Sequence, residues 1–241
     1  MKTLGIPLRF ILVSIYLFLG GFKGFSQMKE IKNLPNYDLQ TVHFGFVLGV
    51  NSFNFMYRPI QDLRSNDTVL AITPNNGNGF SLGIVSNLHM GDYFDLRFLP
   101  TLSFGEKQLK YTLRMNPAEA PEEVIKRVES TLLEFPLLLK YKSARAINFR
   151  AYVIGGIKPV IDLASQDKVD DKGIKLLKLK RNDLLWEIGA GFDFYTQYFK
   201  FSPEIKMAYG LNNLIVRENT VFINPLERLR AKAFYLSFTF E

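Results

Sequence analysis

The sequence predicts an all-β fold: an eight-stranded antiparallel up-and-down transmembrane β-barrel with four long outer loops and short periplasmic turns. Three observations lead there. Apolar residues recur at every second position over stretches of about ten residues, the length of a tilted membrane strand. The intervening positions carry charges in mid-strand, opposite unbroken apolar faces; a water-soluble core does not accommodate that, whereas a lipid-facing wall around a polar interior does. Short polar turns and long polar connections alternate along the chain, as in outer-membrane barrels. A soluble lipocalin-like barrel predicts the reverse, with polar groups outside and an apolar cavity within.

The chain has 241 residues and no cysteine, so neither a disulfide framework nor a thiolate metal site is expected. Its formal charge of +7 falls to 7 − 3 = +4 once Lys2, Arg9 and Lys23 are set aside with the leader. The remaining basic residues are scattered and not interleaved with aromatics, so no nucleic-acid partner is expected. Residues 1–26 read as a secretory signal peptide, with a basic start at Lys2 and Arg9, an apolar stretch Phe10 to Gly21, and Gly24 and Ser26 before a cut at Gln27. The apolar stretch is shorter than the ~20 residues that span a bilayer. No Cys follows it, which excludes lipoprotein attachment. The leader implies export and, with the barrel, the cell outer membrane. A polar lead (residues 27–41) precedes the barrel domain (residues 42–241).

Taken in order, the first strand, Val42 to Phe55, turns Phe44, Phe46, Leu48 and Val50 outward and Gly45, Val47, Gly49 and Asn51 inward. The second, Gly79 to Met90, alternates Phe80, Leu82, Ile84 and Leu88 with Ser81, Gly83, Asn87 and His89. A third begins at Phe94 and opposes Leu96, Phe98, Leu102 and Phe104 to Asp95, Arg97, Thr101 and Ser103. The fourth, Val128 to Tyr141, places Leu133, Phe135, Leu137 and Leu139 against Ser130, Glu134, Leu138 and Lys140. Its partner across the turn Lys142 to Ala146 is Ile147 to Pro159, with Phe149, Val153 and Ile157 opposite Arg150, Tyr152 and Lys158. Leu185 to Tyr195 sets Trp186, Ile188, Phe192 and Phe194 against Glu187, Gly189, Gly191 and Asp193. Phe199 to Gly210 opposes Phe201, Ile205, Met207 and Tyr209 to Lys200, Ser202, Glu204 and Lys206. The last, Lys232 to Phe240, separates Phe234, Leu236, Phe238 and Phe240 from Ala233, Tyr235, Ser237 and Thr239.

Short turns are read at Gly91 to Tyr93, Lys142 to Ala146 and Thr196 to Tyr198; the long connections are Met56 to Asn78, Tyr111 to Arg127, Leu163 to Leu184 and Leu211 to Ala231. An even strand count returns both barrel ends to the periplasmic side. Within the second long connection, Pro117 to Val128 has an acidic start and a basic end that suit a short helix. Leu163 to Leu184 mixes acidic and basic residues, as a solvated loop does; a docking surface for a partner or an anionic sugar is the alternative.

No enzyme signature emerges, and no catalytic, cofactor-binding or metal-ligating residue is assigned. His43 and His89 fall on inward faces near one barrel end, but two imidazoles without a Cys or a nearby acidic pair make a poor metal site. Gly155, Gly156, Gly189 and Gly191 lack the strand-to-helix setting of a phosphate loop and suit room-making beside bulky neighbours. The largest constellation is the inward set Arg97, Glu134, Lys140, Arg150, Lys158, Glu187, Asp193, Lys200, Glu204 and Lys206. Opposite charges in an interior only wide enough for side chains predict a salt-bridged plug; a proton relay or narrow pore is the alternative.

The run Leu132-Leu133-Glu134-Phe135-Pro136-Leu137-Leu138-Leu139-Lys140-Tyr141, then Phe149-Arg150-Ala151-Tyr152-Val153-Ile154-Gly155-Gly156, resembles the central signature of the outer-membrane β-barrel family of Bacteroidetes. Ser26-Gln27, Gly210 to Asn213 and the terminal Phe238-Thr239-Phe240-Glu241 extend the likeness over most of the mature chain. The polar lead and Asn224-Pro225-Leu226-Glu227-Arg228-Leu229 are most similar to members that serve type IX protein secretion and gliding. The resemblance implies a barrel without chemistry of its own, partnered by outer-membrane lipid and by proteins of the secretion machinery.

Overall fold

A computed structural model of the chain describes residues 31–60, 69–114, 120–165, 178–217 and 222–241. The expected signal peptide, residues 1–26, lies outside the described residues, as do parts of all four long connections. The compact unit of interest is Asn33–Glu241. It contains β1 (Val42–Pro59), β2 (Val69–Asn75), β3 (Gly77–His89), β4 (Phe94–Phe98), β5 (Thr101–Leu113), β6 (Glu122–Glu134), β7 (Leu137–Lys142), β8 (Phe149–Asp162), β9 (Asn182–Tyr195), β10 (Lys200–Gly210) and β11 (Leu226–Phe240).

All pairings are antiparallel and the sheet closes. β1 pairs with β3 and β11, β10 joins β11 to β9, β9 pairs with β8, β8 with β6 and β7, and β4 and β5 complete the ring to β3. The eleven segments make eight staves, because three staves are interrupted. β2 and β3 run in one line along β5, with Asn75 opposite Gln108 and Gly79 opposite Gly105, broken at Asn76. β4 and β5 are separated by Leu99 and Pro100, and β6 and β7 by Phe135 and Pro136. Proline has no N–H to give to a ladder. The neighbouring groups stay in the wall all the same: the Pro100 carbonyl accepts from Ile84 N at 3.0 Å, and the Pro136 carbonyl from Leu99 N at 3.1 Å.

The alternation of faces follows the sequence. Phe44, Phe46, Leu48 and Val50 are exposed on the outer surface, while Asp95, Arg97, Lys140 and Lys158 are buried in the lumen. Short connections link β3 to β4, β7 to β8 and β9 to β10, and the first uses Gly91 at φ +133°, a conformation L side chains rarely adopt. The long connections leave the opposite end.

At that outer end the strands run further than the sequence suggested. Glu122 to Val128 is strand, not the expected short helix; it pairs with β5 from Leu113 opposite Glu122 to Lys107 opposite Val128. The reason is non-local burial: Val124 and Val128 pack on an apolar cluster that includes Phe53, Ile72, Leu109, Tyr111 and Leu113. The same cluster draws in Leu179, Leu214, Ile215, Phe222 and Ile223 from the long connections, tied by a bridge between Leu179 and Ile215 and by the Tyr111 hydroxyl donating to Phe222 O at 3.1 Å. The lumen is therefore apolar towards the outer end and polar below it.

Candidate functional site in the barrel lumen

Period-two geometry sends the alternate side chains of every stave into one narrow interior. In its middle, Lys158 on β8 lies 3.2 Å from Glu134 on β6 and also pairs with Glu187 on β9. Tyr235 on β11 donates to Glu134 at 2.7 Å, and the Lys158 ammonium sits 3.8 Å from the centre of the Tyr235 ring. Nearer the periplasmic end, Arg97 on β4 pairs with Glu204 on β10 and, at 3.2 Å, with Glu241. Glu204 also accepts from the Tyr152 hydroxyl at 2.7 Å and lies 3.5 Å from Lys206. Lys140 on β7 holds Asp193 on β9 at 2.8 Å, Ser202 donates to the same carboxylate at 2.7 Å, and Lys200 pairs with Glu241 at 2.9 Å.

Five cations (Arg97, Lys140, Lys158, Lys200, Lys206) thus meet five carboxylates (Glu134, Glu187, Asp193, Glu204, Glu241). Balance matters here because removing an ion from water costs several kcal/mol, about what a well-aligned partner returns. Arg97 and Lys140 have 0% exposed surface, so the side chains fill the cross-section. Tyr152 has its own slot: a Cβ on Gly191 would lie 2.6 Å from the Tyr152 hydroxyl, so glycine there makes room for the phenol.

The periplasmic mouth is capped by the polar lead. Residues Tyr37–Leu39 form one 3-10 turn across it. Asn33 N donates to Asn148 Oδ1 at 2.8 Å, and Asp38 receives Arg145 and Arg150, each at 3.2 Å. Tyr37 donates to Glu241 at 2.9 Å and stacks on His43 with centroids 3.8 Å apart. Burial, with Glu241 beside it, holds the Tyr37 phenol well above its ordinary pKa, so it stays a donor. His89 has a separate environment, 2.9 Å from Asp95 and 2.7 Å from the Lys142 ammonium. Among the described residues, no group of three or more His, Asp or Glu side chains is placed to hold a metal ion.

All ten inward charges named from the sequence are buried. Nine of them enter the central network; Arg150 instead joins Asp38 at the mouth. Sequence reasoning missed Asp38, Lys142 and Glu241 as partners, and Tyr37, Tyr152 and Tyr235 as donors. Lys142 keeps the phase of Lys140 and is legible on that ground; it continues β7, whereas the sequence reading starts the turn there. Glu241 continues the inward phase of Ser237 and Thr239 one step past the last strand. Nothing local marks Asp38, whose partners lie more than a hundred residues away.

The sequence matches the family model described as "Outer membrane protein beta-barrel domain" over residues 25–216. Among solved structures, the chain is similar to the N-terminal β-barrel domain of OprF from Pseudomonas aeruginosa, at 16% identity, with 80% of this chain and 96% of that chain covered and a TM-score of 0.31. It is also similar to Neisserial surface protein A, at 11% identity, with 83% and 98% covered and a TM-score of 0.41. OprG from Pseudomonas aeruginosa gives 14% identity, 83% and 91% coverage, and a TM-score of 0.38. A comparison with curated proteins finds no match.

Proposed function

Because the chain belongs to the outer-membrane protein β-barrel domain family and so resides in the outer membrane, we propose that it is a non-enzymatic component supporting type IX protein secretion, acting like PorT of the Bacteroidetes. The observation that supports the non-enzymatic part is the pairing in the lumen: among the described residues, Arg97, Lys140 and Lys158 are held by Glu204, Asp193 and Glu134 across the barrel, a mutual neutralisation and not a set of nucleophile, base and oxyanion donors converging on one point. Such a barrel acts through its ends and its lipid-facing wall. The secretion role rests on the resemblance of the chain's size, its polar lead and the segment Asn224 to Leu229 to that protein.

Deletion in the native bacterium tests it. Proteins carrying the C-terminal sorting domain should accumulate in the periplasm, and pull-down should recover other secretion components. Shortening Leu163 to Leu184 or Leu211 to Ala231 should weaken export while the barrel persists. A second reading, a structural or adhesive barrel, is favoured by the long outer hairpins, with β5 and β6 paired as far as Leu113 and Glu122. Unchanged export in the deletion strain rejects the secretion role and leaves that reading.

A further inference from the structure

The apolar outer wall ends abruptly on β1 and β11. From the periplasmic end, β11 presents Phe238, Leu236 and Phe234 outward, and then, in the same phase, Lys232, Arg230 and Arg228. The ladder sets Asn54, Met56 and Arg58 of β1 opposite these three cations. Their height is fixed by aromatics. Lys232 is the cross-strand partner of Tyr209, whose ring stacks on Trp186 at 5.0 Å. Such pairs mark the membrane boundary. Lys232 therefore stands at the outer interface, with Arg230 and Arg228 each about 5 Å further out, given a ~3.4 Å rise per residue and a ~40° tilt.

Arg58 is paired with Glu227 at 3.1 Å, but among the described residues no carboxylate pairs with Arg228, Arg230 or Lys232, and Arg230 Nε has no hydrogen-bond partner. The far side of the barrel is different. Outward on β5 and β6, Glu106 faces Glu129, and Lys110 is neutralised by Glu123 at 2.7 Å. On that side Arg127 stands singly, opposite Gln108, whereas on the β1–β11 seam three consecutive outward positions are cations without a carboxylate partner among the described residues, at headgroup depth and beside an apolar strip able to receive acyl chains. Guanidinium groups match phosphate in charge and in bidentate geometry. We propose that Arg228, Arg230 and Lys232 bind the phosphate of a phosphorylated glycolipid in the outer leaflet, holding that lipid along the β1–β11 seam.

The test uses the full-length mature chain in neutral detergent micelles, with bisphosphorylated lipid A as the probe and native mass spectrometry as the readout. Retention of at least one lipid A, lost as salt rises, is expected. The R228Q/R230Q/K232Q variant should bind about a hundredfold more weakly, and each single variant about fivefold, from the worth of one cation near an anionic surface. The K110Q/R127Q control on the far side should bind as the parent does. Heat-dependent gel migration reports whether the triple variant is folded; if it is not, the single variants decide. Parental affinity in the folded triple variant or in all single variants overturns the proposal. Equal binding of dephosphorylated lipid A, or of phosphatidylglycerol, overturns the glycolipid phosphate assignment.

Discussion

Replacing Lys158 by Met leaves Glu134 and Glu187, both buried, without the cation that lies between them. Lys158 is 1% exposed, lies 3.2 Å from Glu134 and touches Glu187, so it is the cation that holds both carboxylates in the middle of the barrel. Methionine keeps the length of the aliphatic stem, so packing changes little and the loss is electrostatic. One Lys–carboxylate pair at this separation carries about 5 kcal/mol of Coulomb attraction at an effective dielectric of 20, most of it offset by desolvation of the ions. Removing one partner while the others stay buried should cost about 3–5 kcal/mol. Adding E134Q and E187Q to K158M removes the orphaned charges, and the triple variant should regain most of that loss, with Tyr235 retaining an amide oxygen to donate to. Urea unfolding of vesicle-embedded protein, followed by the gel shift between folded and unfolded forms, measures both. A cost below about 1 kcal/mol for K158M, or no recovery in the triple variant, would refute the idea that mutual neutralisation holds the lumen together.

The remaining predictions use related assays. Arginine at Leu137 or Leu236, both on the outward phase, should destabilise the barrel by about 2–4 kcal/mol if the position lies near the midplane, whereas S130A, inward and buried, should be milder; equal effects on unfolding would contradict the assignment of faces. Deleting Phe234 to Glu241 removes the ladders to β1 and β10 and the Glu241 partner of Lys200 and Arg97, so the chain should fail to close and should be absent from outer-membrane fractions. Normal membrane levels of the truncation would refute this. D38A takes away the carboxylate shared by Arg145 and Arg150 and should speed amide hydrogen exchange at residues 33–40 without altering exchange in β4 or β10; unchanged exchange in the lead would show that the cap is held by other contacts.

The expected helix at Pro117 to Val128 shows where a local signal misleads. Acidic residues followed by basic ones favour a helix when only neighbours in sequence count. The hairpin wins because Val124 and Val128 find an apolar cluster assembled from β1, β2, β5 and two distant loops, which no window of sequence contains. The polar lead behaves in the same way. Read alone, residues 33–41 are merely hydrophilic; folded, Asn33, Tyr37 and Asp38 reach partners on three different elements and close the mouth.

What the sequence determined by itself is phase. Successive side chains on a strand point to opposite faces whatever the neighbouring strands are, so Phe234, Leu236 and Phe238 had to face one way and Tyr235, Ser237 and Thr239 the other, and charges at Lys140, Lys158 or Glu204 had to enter the lumen. Phase says which residues share the interior but not which of them meet. Partners are set by register, by the stagger accumulated around the closed sheet and by the narrowness of its bore, all of which join residues far apart in the chain. That is why Arg97 finding Glu204 and Glu241, Lys140 finding Asp193, and Lys158 settling between Glu134 and Glu187 were decided only by the tertiary structure.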